Sequence, residues 1–436
     1  MRGIKIVFAL ALVGACASWA FAEDLPVGLS DYPRIIRKDF PKIRPGRELR
    51  LGVFRFHPTF ETSAEYDDNI RLSDSNEQED VIFTQRPGIL IDTRLGKHQL
   101  TAGYWAEIEN LVDHREENAV NHIANGNLHL DLGKLSLNLT ELMEDSTSRL
   151  FNEDSSRDSV FLNTAEGRAR YVRGKWVLEG GYRNNRVDHK PPRTNPNDYL
   201  EHVYSVLLGH NVGAKTTLFV EGIGGIVRYD DNSINADHDY WQTFLGLTRK
   251  IFFEKVAEET QQVERSLNTR MQATARIGYQ NRQLSDVPGR GPQEEFQGVV
   301  ADASLFYRPN LFEPITLDYV RNVNVSTFQN NEWFRQDKVS FAWKKRLLKK
   351  LYIIPRASWT RLTYPEVSTV NGVADRRQDD FYQFQGELRY EPRIDEITGV
   401  AWVWASLIYT YRSRASNFDT FDFDNNKVAL KVGFSY

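Results

Sequence analysis

The sequence predicts an all-β fold, a transmembrane antiparallel up-and-down β-barrel of about 18 strands, with 16 as the alternative and both termini periplasmic. Three observations carry this. Apolar residues recur at every second position in segment after segment. No run beyond the N-terminus approaches the roughly 18 apolar residues of a membrane-spanning helix. The connections between segments alternate short and long.

The N-terminus sets the compartment. Arg2 and Lys5 precede an apolar run from Ile6 to Ala17, and Ala20-Phe21-Ala22 stands before Glu23. Residues 1–22 therefore read as a secretory signal peptide cut between Ala22 and Glu23. Val13-Gly14-Ala15-Cys16 resembles a lipobox, but the small-x-small site before an acidic residue is the better fit. Cys16 is the single cysteine, so cleavage leaves none, and disulfides, thiolate catalysis and cysteine metal sites are excluded. Removing Arg2 and Lys5 from the 55 basic residues leaves 53 against 59 acidic ones, a net charge of −6 that gives no sign of a nucleic-acid partner. Aromatics at 12% and charges at 26% fit a large soluble β protein or a membrane barrel whose apolar surface occupies alternate positions.

Residues 23–50 contain Pro26, Pro33, Pro41 and Pro45 and are expected to form an extended periplasmic lead-in or a plug folded into the pore. The barrel is placed at 51–436, its first strand near Val53 to Tyr66 and its last ending at Tyr436. In the strand near Leu100, Leu100, Ala102, Tyr104, Ala106 and Ile108 face one way, and Thr101, Gly103, Trp105, Glu107 and Glu109 the other. Around Met271 the apolar set is Met271, Ala273, Ala275, Ile277 and Tyr279; around Tyr382 it is Tyr382, Phe384, Gly386, Leu388 and Tyr390. A soluble sandwich alternates as well, so the loops decide. Gly96-Lys97, Gly133-Lys134, Gly174-Lys175 and Gly213 to Lys215 are tight, whereas Asp113 to Asn118, Asp145 to Asp158 and Asp188 to Asp198 are longer. Membrane barrels show this asymmetry between periplasmic turns and external loops. Glu254 to Asn268 is long where a turn is expected, and reads equally as a short periplasmic helix or a charged loop. At the C-terminus, Val428, Leu430, Val432, Phe434 and Tyr436 alternate with Ala429, Lys431, Gly433 and Ser435. Val432, Phe434 and a terminal aromatic resemble the signal by which outer-membrane barrels are recognised for assembly, where Phe is usual and Tyr436 a variant.

Phe56-His57-Pro58, then Glu65-Tyr66-Asp67-Asp68-Asn69-Ile70, then Asp80 and Pro87-Gly88 followed by Leu90, resemble the opening of the β-barrel porin 2 family. His98 with Leu100 and Tyr104 also fits. The resemblance implies barrel architecture over most of the mature chain, although its sharp motifs, Tyr66, Asp67, Asp68 and Asn69 among them, are confined to the first two or three strands. It also implies an association with exopolysaccharide biosynthesis and secretion, and is the sole source here for a polysaccharide substrate.

A barrel of sixteen to eighteen strands is wide enough for an aqueous interior. Alternation makes Glu107, Glu109, Asn127, Asp131, Glu166, Arg168, Arg170, Glu179, Arg183, Arg276, Arg282, Glu387 and Arg389 the candidates for lining it. Facing arginines and carboxylates would screen solutes by charge and size; alternatively they pair and fill part of the lumen. The acidic clusters Asp67-Asp68-Asn69 with Asp74, Glu77, Glu79 and Asp80, then Asp230-Asp231-Asn232, then Asp422, Asp424 and Asn425, lack calcium-loop spacing and read as solvated loop faces. Asp67, Asp68 and Asn69 read alternatively as strand caps that shape the first loop. The sequence has no Gly-x-Ser-x-Gly elbow, His-Glu-x-x-His metal helix or glycine-rich phosphate loop, and His114 near Glu116 and Glu117, like His238 between Asp237 and Asp239, reads as solvated in an external loop.

The resulting expectation is a non-enzymatic outer-membrane channel, porin-like, carrying exopolysaccharide or other polar solutes, with no cofactor and no metal. Its expected partners are outer-membrane lipid and lipopolysaccharide, the barrel-assembly machinery and periplasmic polysaccharide-export proteins. A plugged docking barrel of an export machine is the alternative, and an enzyme acting on polysaccharide or lipid is a third reading.

Overall fold

Strands form where alternation lets one face meet an oily medium and the other a polar one, and here they pair in chain order until the last meets the first. The computed structural model describes residues 49–148, 158–190, 198–231, 235–252, 269–286, 295–310, 313–326, 328, 331–392 and 402–435. The signal cleavage site, nearly all of the 23–50 extension, the Glu254 to Asn268 segment and Tyr436 lie outside them.

Among the described residues the chain runs β1 (Leu49–Leu51), β2 (Phe54–Asp67), β3 (Asp80–Leu95), β4 (His98–Leu111), β5 (Ala119–Asp131), β6 (Leu135–Ser148) and β7 (Asp158–Arg173). It continues through β8 (Trp176–His189), β9 (Tyr199–Gly213), β10 (Thr216–Tyr229), β11 (His238–Phe252), β12 (Thr269–Leu284), β13 (Phe296–Tyr307) and β14 (Ile315–Val325). It ends with β15 (Trp333–Trp343), β16 (Lys345–Leu348), β17 (Leu351–Val370), β18 (Val373–Tyr390), β19 (Trp402–Ser416) and β20 (Phe423–Ser435). Each pairs antiparallel with its neighbours, and β2 joins β20 from Thr59↔Ser435 to Asp67↔Lys427. Among the described residues the ring is thereby closed, the condition for crossing a bilayer with strands. β16 prolongs β15 along β17, and β1 folds back on β2, leaving an 18-stranded ring as the sequence predicts. Leu49 and Arg50, expected in the extension, therefore pair with β2, through a turn at Gly52 with φ 63°.

Because the ring is even, the chain enters β2 and leaves β20 at the same end, here the turn end. Gly96, Gly133 and Gly174 supply left-handed φ values of 65°, 84° and 60° for three of its tight turns. The opposite, loop end carries a three-residue helix at Arg115–Glu117 and another at Asp419–Phe421. Two long connections are shorter than expected, because β6 runs on to Ser148 and β8 to His189. β17 and β18, the two longest strands, project at the loop end as a hairpin closed by Asn371-Gly372, both with positive φ.

The outer face is apolar: Tyr104, Leu208, Leu245, Ile277, Phe384 and Leu430 are exposed on it, as are Val432 and Phe434 of the terminal alternation. Tyr319, Trp359 and Tyr382 share one outward row across β14 to β18. One step toward the loop end is a row in which Arg321, Asp337, Arg361 and Asp380 stand opposite one another, with Arg321 Nε 2.6 Å from Asp337 and Arg361 Nε 2.9 Å from Asp380. An aromatic girdle followed by paired charges marks where hydrocarbon gives way to head groups.

Candidate functional site: the inner wall

All thirteen inner-wall candidates occupy positions opposite the exposed apolar set on their strands. Arg276 of β12 pairs with Asp302 of β13 and, at 2.5 Å, with Glu221 of β10. Reaching over the intervening β11 is possible only from the concave side of the sheet.

The structure gathers nine of the thirteen candidates into three arcs. In the first, Arg86 bridges Glu107 and Glu61, Asn121 donates to Glu107 at 3.2 Å, and Lys431 reaches Glu61 at 2.9 Å. Nearer the turn end Asp92 takes Arg55 and the Nε2 of His57, 2.8 Å away. The second arc joins Arg168 to Glu166 and, at 3.6 Å, to Glu179; Arg170 and Arg183 are the register partners of Glu179 and Glu166, and Arg276 with its two carboxylates continues the arc. In the third, Glu387 accepts from Arg389 at 2.6 Å, from Arg356 at 3.2 Å and from Ser406 Oγ at 2.7 Å. Asn127 donates to Asn138 at 2.9 Å and Thr140 at 3.3 Å, while Asp131 accepts from the Gly133 amide and serves the turn. Glu109 is half-buried beyond Glu107 on β4.

Several of these arginines rest on a repeated stack. A Cβ on Gly278 would lie 2.6 Å from the Phe244 ring, and the Arg276 guanidinium covers that ring at 4.3 Å. Gly225 lies beneath Tyr240, which Arg282 covers at 5.0 Å; Gly433 lies beneath Trp404, which Arg389 covers at 4.8 Å. Trp105 lies in the same way across Gly88 and Gly103, where a Cβ would come within 2.3 Å of its ring. Glycine lets the ring lie flat on the wall, and the ring holds the cation by cation–π attraction. The stacks were not read from the sequence, although Gly88, Gly103, Gly278 and Gly433 all fall on inward positions of the alternation. Glu61, Arg86, Glu221, Asp302, Arg356 and Lys431 were also missed, and the same parity would have found them.

Two expectations for the loop end are corrected. His238 is not a solvated loop residue: it opens β11, is 2% exposed, accepts from Arg282 Nη1 at 2.8 Å and donates through Nδ1 to the Ala236 carbonyl at 3.0 Å. Burial and two directional partners fix it as neutral imidazole, while the adjacent Asp239 pairs outward with Arg228. His114 bonds Asp80 at 2.9 Å, and Asp80 also collects the amides of Val112, Asp113 and His114. The first acidic cluster is a solvated face only in part: Asp67, Asn69 and Asp80 are buried, whereas Asp74, Glu77 and Glu79 are exposed.

Asp67, Asp68 and Asn69 instead fasten the seam where the barrel closes. Asn425 donates to Asp67 at 2.6 Å, Asn426 donates to Asp68 through both its amide and its side chain, and Asn69 donates to the Asp424 carbonyl at 2.9 Å. Lys427 adds a 2.5 Å pair to Asp67. Tyr66 points outward and donates to Glu79. Residues 48–173 match the family Putative beta-barrel porin 2. The match to this porin family runs from the start of the barrel to the end of β7 and takes in the Tyr66 to Asn69 motif, Glu107 and the Glu166, Arg168 and Arg170 cluster. Arg276, Arg282, Glu387 and Arg389 stand beyond it. No curated protein matches the chain. Among solved structures, OpdL of Pseudomonas aeruginosa is 11% identical, with a TM-score of 0.44 covering 88% of this chain and 99% of that one. OccK2 (OpdF) of Pseudomonas aeruginosa is 12% identical, TM-score 0.45, covering 88% and 98%. A BenF-like porin of Pseudomonas fluorescens Pf-5 is 10% identical, TM-score 0.45, covering 88% and 100%.

The loop end has a core of its own. Arg377 lies 3.8 Å from the centroid of Phe421 and 4.3 Å from that of Phe328, and pairs with Asp379 at 2.8 Å. Asn331 donates to Ser368 at 3.1 Å, and Glu332 accepts the Ala236 amide at 3.1 Å. The connection after β14 is thus tied both to β17 and to the approach to β11.

Proposed function

We propose that the protein is an outer-membrane channel that passes polar solutes through a charged lumen whose outer mouth is narrowed by the Phe328, Arg377 and Phe421 core. A closed 18-strand ring with an apolar exterior and three inward arcs of paired charge supports this most directly. Such pairs set fixed fields across a pore without closing it, so passage is selected by size and charge, and covalent chemistry has no part in it. The finer reading, a conduit for secreted exopolysaccharide, is drawn from the porin family's association and from the length and polarity of the inner wall. In this reading the turn end and both termini face the periplasm, the loops face outward, and residues 1–22 direct export. Planar-bilayer recording on the refolded barrel is the test: stepwise conductance is expected, and its absence at every voltage and pH, from protein that is demonstrably folded, would remove the channel.

A further inference from the structure

Among the described residues, the exposed charges at the two ends of the barrel are predominantly of opposite sign. At the turn end Lys97, Lys134, Lys175, Lys215 and Lys349 are all exposed, and none makes a salt bridge among the described residues. The next strand holds three of them in place, since the carbonyls of Lys134, Lys175 and Lys215 accept the amides of Val172, Asn211 and Lys250, each at 2.8 Å. Exposed Arg94, Arg173 and Arg249 stand beside them, while described carboxylates at this end are already engaged, Glu313 by Lys345 and Glu391 by Lys344. At the loop end the exposed charges include Asp74, Glu77, Glu116, Asp230, Asp375 and Asp419.

Single exposed lysines act weakly, because at physiological salt the screening length is about 8 Å. A small monovalent anion is barely biased by them. A chain bearing many anions engages several at once and releases counterions from each, so its retention multiplies and falls steeply with salt. Lysine also suits this role: it is a hydrated point charge on a flexible stem, without the fork that recognises one head-group geometry. We propose that this basic arc is a docking collar for a linear polyanion with carboxylate-bearing repeat units, gathered at the turn end of the channel. The proposal rests on the channel reading.

The test uses polygalacturonate and neutral dextran of equal length on the full mature barrel in planar bilayers, with insertion side fixed by maleimide labelling of T420C at the loop end. Polygalacturonate added on the turn-end side is expected to block current at a concentration at least tenfold below that needed from the loop end, and dextran to show no such difference. Binding of fluorescent polygalacturonate to the detergent-solubilised barrel, read in parallel, examines the collar even where no current flows, so failure of the channel and failure of the collar are separable. The variant K97Q/K134Q/K175Q/K215Q should weaken that binding at least tenfold, as should raising salt from 0.05 to 0.5 M. Equal block from both sides, or binding by the fourfold variant that matches the parent, overturns the proposal. So does a variant that binds polygalacturonate normally but retains less phosphatidylglycerol, which would make the arc a lipid-head-group surface.

Discussion

Arg276 shows how much the inner wall depends on single side chains. It separates Glu221 from Asp302, and both it and Glu221 are buried. In R276Q the two carboxylates lose their shared cation in a low-dielectric setting, and breaking such a pair costs about 3–5 kcal/mol. A lower urea midpoint for the refolded barrel is expected, and R276K should recover part of it because the charge remains without the planar stack on Phe244. Gly225 is limited differently: a Cβ there would lie 1.9 Å from Tyr240 Cζ. G225V must therefore displace the ring that supports Arg282, an overpacking change of about 1–3 kcal/mol. The temperature at which the compact gel band converts to the unfolded one should drop; an unchanged conversion would show that the ring can move freely.

At the scale of strands and turns, the seam between β2 and β20 is the joint that no local contact can make, because Asp67 and Asn425 are brought together only when the ring closes. N425A removes a donor to three acceptors in a buried site, at a cost of about 1–3 kcal/mol. Joining residues so far apart in sequence carries a large loop-closure cost, so with the latch removed refolding should slow in time-resolved band-shift measurements; refolding at the parent rate would show that the latch forms after closure. At the turn end, Lys345 hydrogen-bonds Glu313 and, despite some opposing desolvation, holds its carboxyl below the ordinary value of 4.5. A carboxylate depressed in the fold lends stability above its unfolded value, and that contribution is lost as pH falls through the folded one. The turn before β14 should thus loosen on acidification below about pH 4.5, seen as faster amide exchange there, while E313Q should remove the pH dependence of that exchange.

For the whole molecule, the open and plugged readings differ in the fate of the segment before the barrel. Deleting residues 23–48 from the exported chain should leave conductance within about twofold if the lumen is open, whereas a silent barrel that begins to conduct would identify the segment as a plug. The charge difference between the ends among the described residues belongs to this scale too, because it arises from about ten separate turns and loops and from no motif.

The sequence by itself determined the barrel, a strand number of about 18 with 16 as the alternative, and the sense of each strand's two faces. Period-two alternation and glycine-lysine turns are local, and the even ring follows from them: Glu107, Arg276 and Glu387 were assigned inward by parity alone. Only the tertiary structure decided the partners. Arg276 and Glu221 are separated by an entire strand, Asp67 and Asn425 by most of the chain, and His238 is buried because Arg282 and the Ala236 carbonyl meet it there. Parity tells which side of the sheet a residue occupies, but the tilt and closure of the ring set its height and neighbours, and those are properties of the cylinder and not of any strand.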